Sequence, residues 1–129
     1  MVKGEGWMDL PHKRLECWKK GIHITKLVYK MTECFPKEEI YGLTSQMRRA
    51  AVSIPSNIFE GAARHTKKEF IQFLHTAQGS LSELDTQMTI ACEIGFIDKK
   101  DIQEFEKDLD HENRLLTGLI KSLKKVTGE

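Results

Sequence analysis

The five histidines and three cysteines of this 129-residue chain are the side chains best suited to hold a metal or attack a substrate. Zinc sites need short, fixed spacings that bring several ligands onto one ion. His12, His23, His65, His75 and His111 show no HExxH spacing, and Cys17, Cys34 and Cys92 form no CxxC pair. Di-metal helical bundles instead carry a Glu-x-x-His pair on each of two helices, where that spacing turns both ligands inward. No Glu-x-x-His occurs. The chain also lacks a P-loop and a GxGxxG turn. Neither Cys17 nor Cys92 lies in a nucleophile motif, and both read as small packed hydrophobes. The expectation is a non-enzymatic protein with no metal and no cofactor.

What remains is charged and apolar surface, whose meaning depends on the elements that carry it. The composition, 40% hydrophobic and 30% charged, suits one globular domain with a real core. An odd number of widely spaced cysteines argues against a disulfide framework and fits a reducing, cytoplasmic setting. The opening MVKGEGWMDLP has no apolar signal-peptide core, and no apolar run approaches the roughly 20 residues that span a bilayer, so no membrane partner is expected. Residues 1–12 read as a flexible segment and 13–127 as a single domain.

Four helical segments follow. The first runs from about Lys13 to Cys34, where Phe35-Pro36 stops it, because the residue before a proline is pushed out of helical geometry. The second runs from Lys37 or Gly42 to Ala63; Pro55 inside it crowds the carbonyl of Ala51, so a kink is expected. The third opens on a capping box, Thr66-Lys67-Lys68-Glu69, and stops at Gly95. The fourth starts near Asp98 and ends near Val126. Short connections between long helices imply an all-α, antiparallel, up-down-up-down four-helix bundle.

Periodicity divides these helices into two kinds. The third carries one stripe through Phe70, Phe73, Leu74, Ala77, Leu81, Leu84, Met88 and Ala91, and the fourth one through Ile102, Phe105, Leu109, Leu116, Leu119, Ile120 and Leu123. Each is buried on a single face. The first helix has a stripe of Leu15, Trp18, Ile22, Thr25 and Tyr29, with further apolar residues on its other side at Cys17, Ile24, Leu27, Val28 and Met31. The second has Leu43, Met47, Ala50, Ala51, Ile54 and Ile58 on one face, while Val52, Phe59 and Ala63 point elsewhere. Apolar surface on two sides implies self-association through these helices, or a central place for them in a monomer. A polar stripe also borders the second helix, at Gln46, Arg49, Ser53, Asn57, Glu60 and Arg64. It reads as a network fixing helix register or subunit geometry, or as a recognition surface. Within that segment the candidate structural or interface residues are Gln46, Arg49, Val52, Ser53, Asn57, Phe59 and Glu60.

Net charge is only +1, so distribution decides. In an up-down-up-down bundle one end gathers Lys13, Arg14, Lys19, Lys20, Arg64, Lys67, Lys68, Lys121, Lys124 and Lys125, against Glu16, Glu60, Glu69 and Glu129. The other end is acidic, with Glu33, Glu38, Glu39, Glu93, Asp98, Asp101, Glu104 and Glu106 against Lys30, Lys37, Lys99 and Lys100. The ten cations are candidates for contact with a phosphate backbone. The plainer reading is that solvated termini complement the helix dipoles. No stretch interleaves aromatic and basic residues in the manner of a single-strand stacking platform.

The run from Gly42 to Gly61, GLTSQMRRAAVSIPSNIFEG, resembles the signature of the four-helix-bundle proteins encoded in intervening sequences of bacterial 23S ribosomal RNA genes. Trp18, Val28-Tyr29, Phe35-Pro36, Glu69-Phe70, Phe73-Leu74, Ala77, Gly79-Ser80-Leu81 and Glu83-Leu84 fit the same pattern. The resemblance covers about Leu15 to Ile97, and departs at Phe59, where the family usually has a small residue. It implies a bundle, often a homopentameric ring, with no known catalytic activity. Related accessory proteins of diversity-generating retroelements bind a reverse transcriptase and nucleic acid. Two functions are therefore expected in competition: a homo-oligomeric scaffold associating with RNA or a ribonucleoprotein through its basic end, and a protein–protein adaptor, for a reverse transcriptase or another enzyme, without direct RNA binding.

Overall fold

Thr66 and Glu69 mark the sharpest boundary in the chain. The Thr66 hydroxyl accepts from the Glu69 backbone N–H at 3.1 Å, which is the threonine half of the expected capping box. The Glu69 carboxylate accepts from the Thr66 hydroxyl, at 3.3 Å, instead of from its backbone N–H. The computed structural model describes residues 5–127, with side chains from Pro11 to Lys125. Its helices are α1 (Glu5–Thr32), α2 (Leu43–Ala62), α3 (Lys67–Glu93) and α4 (Lys99–Thr127), with a 3-10 turn at Lys37–Glu39 before α2. No strand occurs among the described residues, and the fold is an all-α four-helix bundle. At the end of α3, Gly95 takes φ 88°, a left-handed conformation that a side chain would strain. That turn lets the Phe96 and Gly95 N–H groups bond the carbonyls of Ala91 and Cys92 at 2.8 and 3.1 Å, which satisfies the helix end.

Each helix packs on two neighbours, α1 on α2 and α4, α3 on α2 and α4. In three seams the residue numbers fall along one helix as they rise along the other. Thr25 meets Ala51 and Thr32 meets Arg48; Ser53 meets Ser80 and Gly61 meets Phe70; Lys13 meets Ser122 and Lys20 meets Asp108. The core contains the stripes expected for α3 and α4 except Phe73, which is half-buried, joined by Cys17, Ile24 and Val28 of α1 and Met47, Ile54 and Ile58 of α2. Burying a leucine or isoleucine in this way is worth roughly 1.5–3 kcal/mol.

Helix α1 begins at Glu5 rather than near Lys13, so helical geometry reaches back through Pro11 into the segment expected to be flexible. Pro11, the seventh residue of that helix, lies past the first turn, so it both removes an N–H donor and crowds the carbonyl four residues before it. Residues 1–4 of that segment lie outside the described residues, as does Glu129 of the expected basic end. Helix α2 runs unbroken through Pro55. Proline cannot donate to the carbonyl of Ala51, and a neighbouring helix supplies the substitute: Thr25 Oγ1 lies 3.1 Å from that oxygen and 2.8 Å from its own Gly21 carbonyl. Gly21 makes the approach possible, since a Cβ there would meet Pro55 Cβ and Cδ at 3.3 Å.

Candidate functional site

Helix α1 buries its Cys17, Ile24 and Val28 face and leaves the other apolar stripe outside. Leu15, Ile22 and Tyr29 are exposed, as are Val52 and Phe59 of α2, and Phe59 keeps 67% of its surface in water. Trp18 is half-buried between the two sets. Apart from Tyr29, these side chains line two adjoining grooves along the α1–α2 seam. A groove of about 630 Å³ lies against Pro11, Leu15, Trp18, Phe59 and Ala62. The next, about 560 Å³, continues along Trp18, Ile22, Val52, Pro55 and Phe59. Both sides are overwhelmingly hydrocarbon, the kind of contiguous exposed patch that marks a contact surface.

At its α1 start this strip runs into positive charge. Arg14 lines the first groove and also a smaller cleft of about 210 Å³ with Arg64, His65, Thr66 and Lys67, floored by Pro11, Phe70 and Leu123. Two stretches of chain, α1 and the α2–α3 connection with the first residue of α3, thus bring Arg14, Arg64 and Lys67 together. The Arg64 guanidinium lies 4.6 Å from the Phe73 ring centroid and reaches Glu60 at 3.4 Å. Lys19, Lys68, Lys121, Lys124 and Lys125 are exposed. Two of the ten expected cations turn sideways into the α1–α4 seam. Lys13 Nζ donates to Ser122 Oγ at 2.8 Å, and Lys20 pairs with Asp108 at 2.6 Å.

Of the polar stripe on α2, Gln46, Arg49 and Glu60 are exposed, while Ser53 and Asn57 are half-buried. Ser53 donates to the Ala50 carbonyl at 2.8 Å and its hydroxyl meets that of Ser80 on α3; Asn57 donates to the Ser53 carbonyl at 2.7 Å. Ser53 and Asn57 are therefore occupied within the protomer, and Ser53 ties α2 to α3.

The sequence reading passed over Glu112. It is fully buried among α1, α2 and α4, with neither carboxyl oxygen hydrogen-bonded, and its Oε2 stands 3.3 Å from where a Cβ on Gly21 would lie. Burial pushes its pKa up to about 9, against a smaller opposing pull from Lys20, so the group is neutral at pH 7. Cys17 faces the same interior; burial first, then the Glu112 and Glu16 charges, raise its thiol to about 12, which leaves it an unreactive packed side chain. Glu112 occupies the gap between Leu109 and Leu116 in the α4 stripe, so helical spacing alone placed a carboxylate in the core. Among the described residues no three His, Cys, Asp or Glu side chains converge to hold a metal, and no helix is long and apolar enough to cross a membrane.

Four packed helices, with an apolar seam that runs into a cation cluster, define an all-α four-helix-bundle protein. This chain belongs to the 23S rRNA-intervening sequence protein family, whose model matches residues 13–118. It is similar to a protein with unknown function from the S23 ribosomal protein family of Bacteroides thetaiotaomicron VPI-5482. That crystal structure superimposes with a TM-score of 0.78 at 20% identity, over 84% of this chain and 98% of the other. At that identity the likeness speaks for the fold. No curated protein matches the chain significantly.

Proposed function

We propose that this protein is a non-enzymatic, antiparallel up-down-up-down bundle that assembles with copies of itself, as a pentameric ring, and associates with RNA or a ribonucleoprotein through its basic end in the cytoplasm. The observation that carries this reading is the exposed apolar strip of α1 and α2, which runs directly into the Arg14, Arg64 and Lys67 cluster. The middle of the strip, Ile22, Tyr29 and Val52, supplies the subunit contact, because a protomer alone leaves these side chains wet. Parallel subunits in a ring gather their cationic ends into one rim, and phosphate binding there releases counterions and weakens steeply with salt.

Sedimentation of Val52→Glu against wild type tests the assembly, since a charge at the contact centre should give single protomers. An unchanged sedimentation coefficient refutes it. Reversing Lys67, Lys68, Lys124 and Lys125 to glutamate should abolish RNA binding in fluorescence anisotropy; unaltered affinity refutes the basic end. The two apolar grooves also favour a second reading, an adaptor for a reverse transcriptase or another protein without direct RNA contact. It requires a complex from the native host that survives nuclease, and complete dissociation on nuclease treatment counts against it.

A further inference from the structure

We infer that the junction of the cationic cleft and the apolar groove is a binding site for single-stranded polynucleotide, with phosphate held at Arg14, Arg64 and Lys67 and a base against Phe59 and Trp18. This deepens the RNA-binding reading above and rests on it. The fold supplies what the linear sequence lacks. Arg14 and Trp18 come one turn apart on α1, Phe59 and Arg64 come from α2 and the turn after it, and α1–α2 packing sets them around one continuous depression. Arg14 and Ala62 line both cavities, so the cationic and aromatic parts share a wall.

Charge selects the occupant. Among the described residues no carboxylate lines either cavity, whereas Glu60 lines the next groove along the strip and pairs with Arg64 from outside the cleft. A ligand with an anionic repeat beside flat apolar groups matches this order of surfaces. Single strands have both, because their bases are free to leave the stack, while a duplex keeps its bases paired inside. Phe59 also answers the single-strand reading better than the subunit contact does. It stands at the cationic end of the strip, and the residue keeps two-thirds of its surface exposed. Stacking does not depend on the sugar, so RNA and DNA strands offer the same chemistry.

The test uses the full chain with Trp7→Phe, leaving Trp18 as the sole indole, and labelled oligonucleotides as single-stranded RNA, single-stranded DNA of the same sequence, and duplex RNA. Expected results are saturable quenching of Trp18 emission by the RNA strand and not by the duplex. Phe59→Ala should weaken single-strand binding by roughly tenfold or more, as expected for loss of one stacked base, with duplex affinity unchanged. Arg14→Glu should weaken it and lower the salt slope by about one phosphate contact. Binding of the DNA strand with the same quenching supports the site and shows that the ribose hydroxyl is not read. Salt-dependent RNA binding without Trp18 quenching, and indifferent to Phe59→Ala, overturns this site while leaving the basic-end reading intact. Loss of assembly in Phe59→Ala with unchanged RNA affinity also overturns it and gives Phe59 to the subunit contact. Absence of any polynucleotide binding in wild type removes both.

Discussion

Replacing Glu112 with glutamine should make the protein more stable above mildly acidic pH and remove most of the pH dependence of its stability. The buried carboxyl holds its proton up to about pH 9 in the folded chain, while the unfolded chain releases it near the ordinary value of 4.5. Between those limits the native state binds one proton more than the unfolded state, so stability falls as pH rises and levels off above the folded value. Each pH unit in that window removes up to about 1.4 kcal/mol, which accumulates to roughly 3 kcal/mol by about pH 7. Glutamine leaves the same volume and two unpaired polar atoms but has no proton to lose, so it isolates ionisation from packing. The Glu112→Gln variant should therefore match wild type near pH 4.5 and exceed it by a few kcal/mol at neutrality. Urea unfolding followed by far-UV circular dichroism, at fixed protein concentration because assembly is linked to folding, measures the difference. The comparison stays below pH 9, because the Cys17 thiol, also raised by burial, adds its own proton release above its ordinary value of 9. Equal pH slopes for wild type and Glu112→Gln would refute the reasoning. They would mean that the folded carboxylate is ionised and that Lys20 leaves Asp108 to meet it.

Three further substitutions probe the seams. Gly61→Ala places a Cβ 2.6 Å from Phe73 Cβ and 2.9 Å from Phe70 Cδ1. The overpacking cost of about 1–3 kcal/mol should outweigh the ~1 kcal/mol gain in helix propensity, and thermal unfolding should show a lower Tm. Thr25→Val keeps the side-chain shape but strips the donor from the Ala51 carbonyl, a loss of about 1–3 kcal/mol in chemical denaturation. That loss should shrink in a Pro55→Ala background, where residue 55 regains an N–H for the same oxygen; equal losses in both backgrounds would refute the pairing. Thr66→Ala removes the α3 cap and should cost about 1 kcal/mol by the same assay.

Features written in neighbouring residues were legible in the sequence. The Thr66–Glu69 box and the Gly95 stop needed only local chemistry, and the stripes of α3 and α4 followed from helical spacing. The doubled apolar character of α1 and α2 was legible too, but which face entered the core was not, since Leu15-Ile22-Tyr29 and Cys17-Ile24-Val28 are equally apolar stripes. Packing against α4 and α2 chose the second. Pairings between distant segments were hidden. The Lys20–Asp108 ion pair removes one cation from the basic end, and the Thr25–Ala51 bond explains how α2 continues through Pro55. The basic-aromatic junction was invisible for the same reason: Arg14 and Trp18 meet Phe59 and Arg64 only after α1 packs on α2. Glu112 was readable from its register in α4, but its neutrality required the burial that only the fold provides.

Light scattering coupled to size-exclusion chromatography, run on the wild-type chain with and without a single-stranded RNA oligomer at low and high salt, puts assembly and RNA binding in one measurement. The account predicts a particle whose mass is a multiple of the 14.9 kDa protomer, which gains RNA at low salt and sheds it at high salt without losing subunits. A 14.9 kDa species at micromolar concentration, or an assembly whose mass RNA leaves unchanged at low salt, would contradict it.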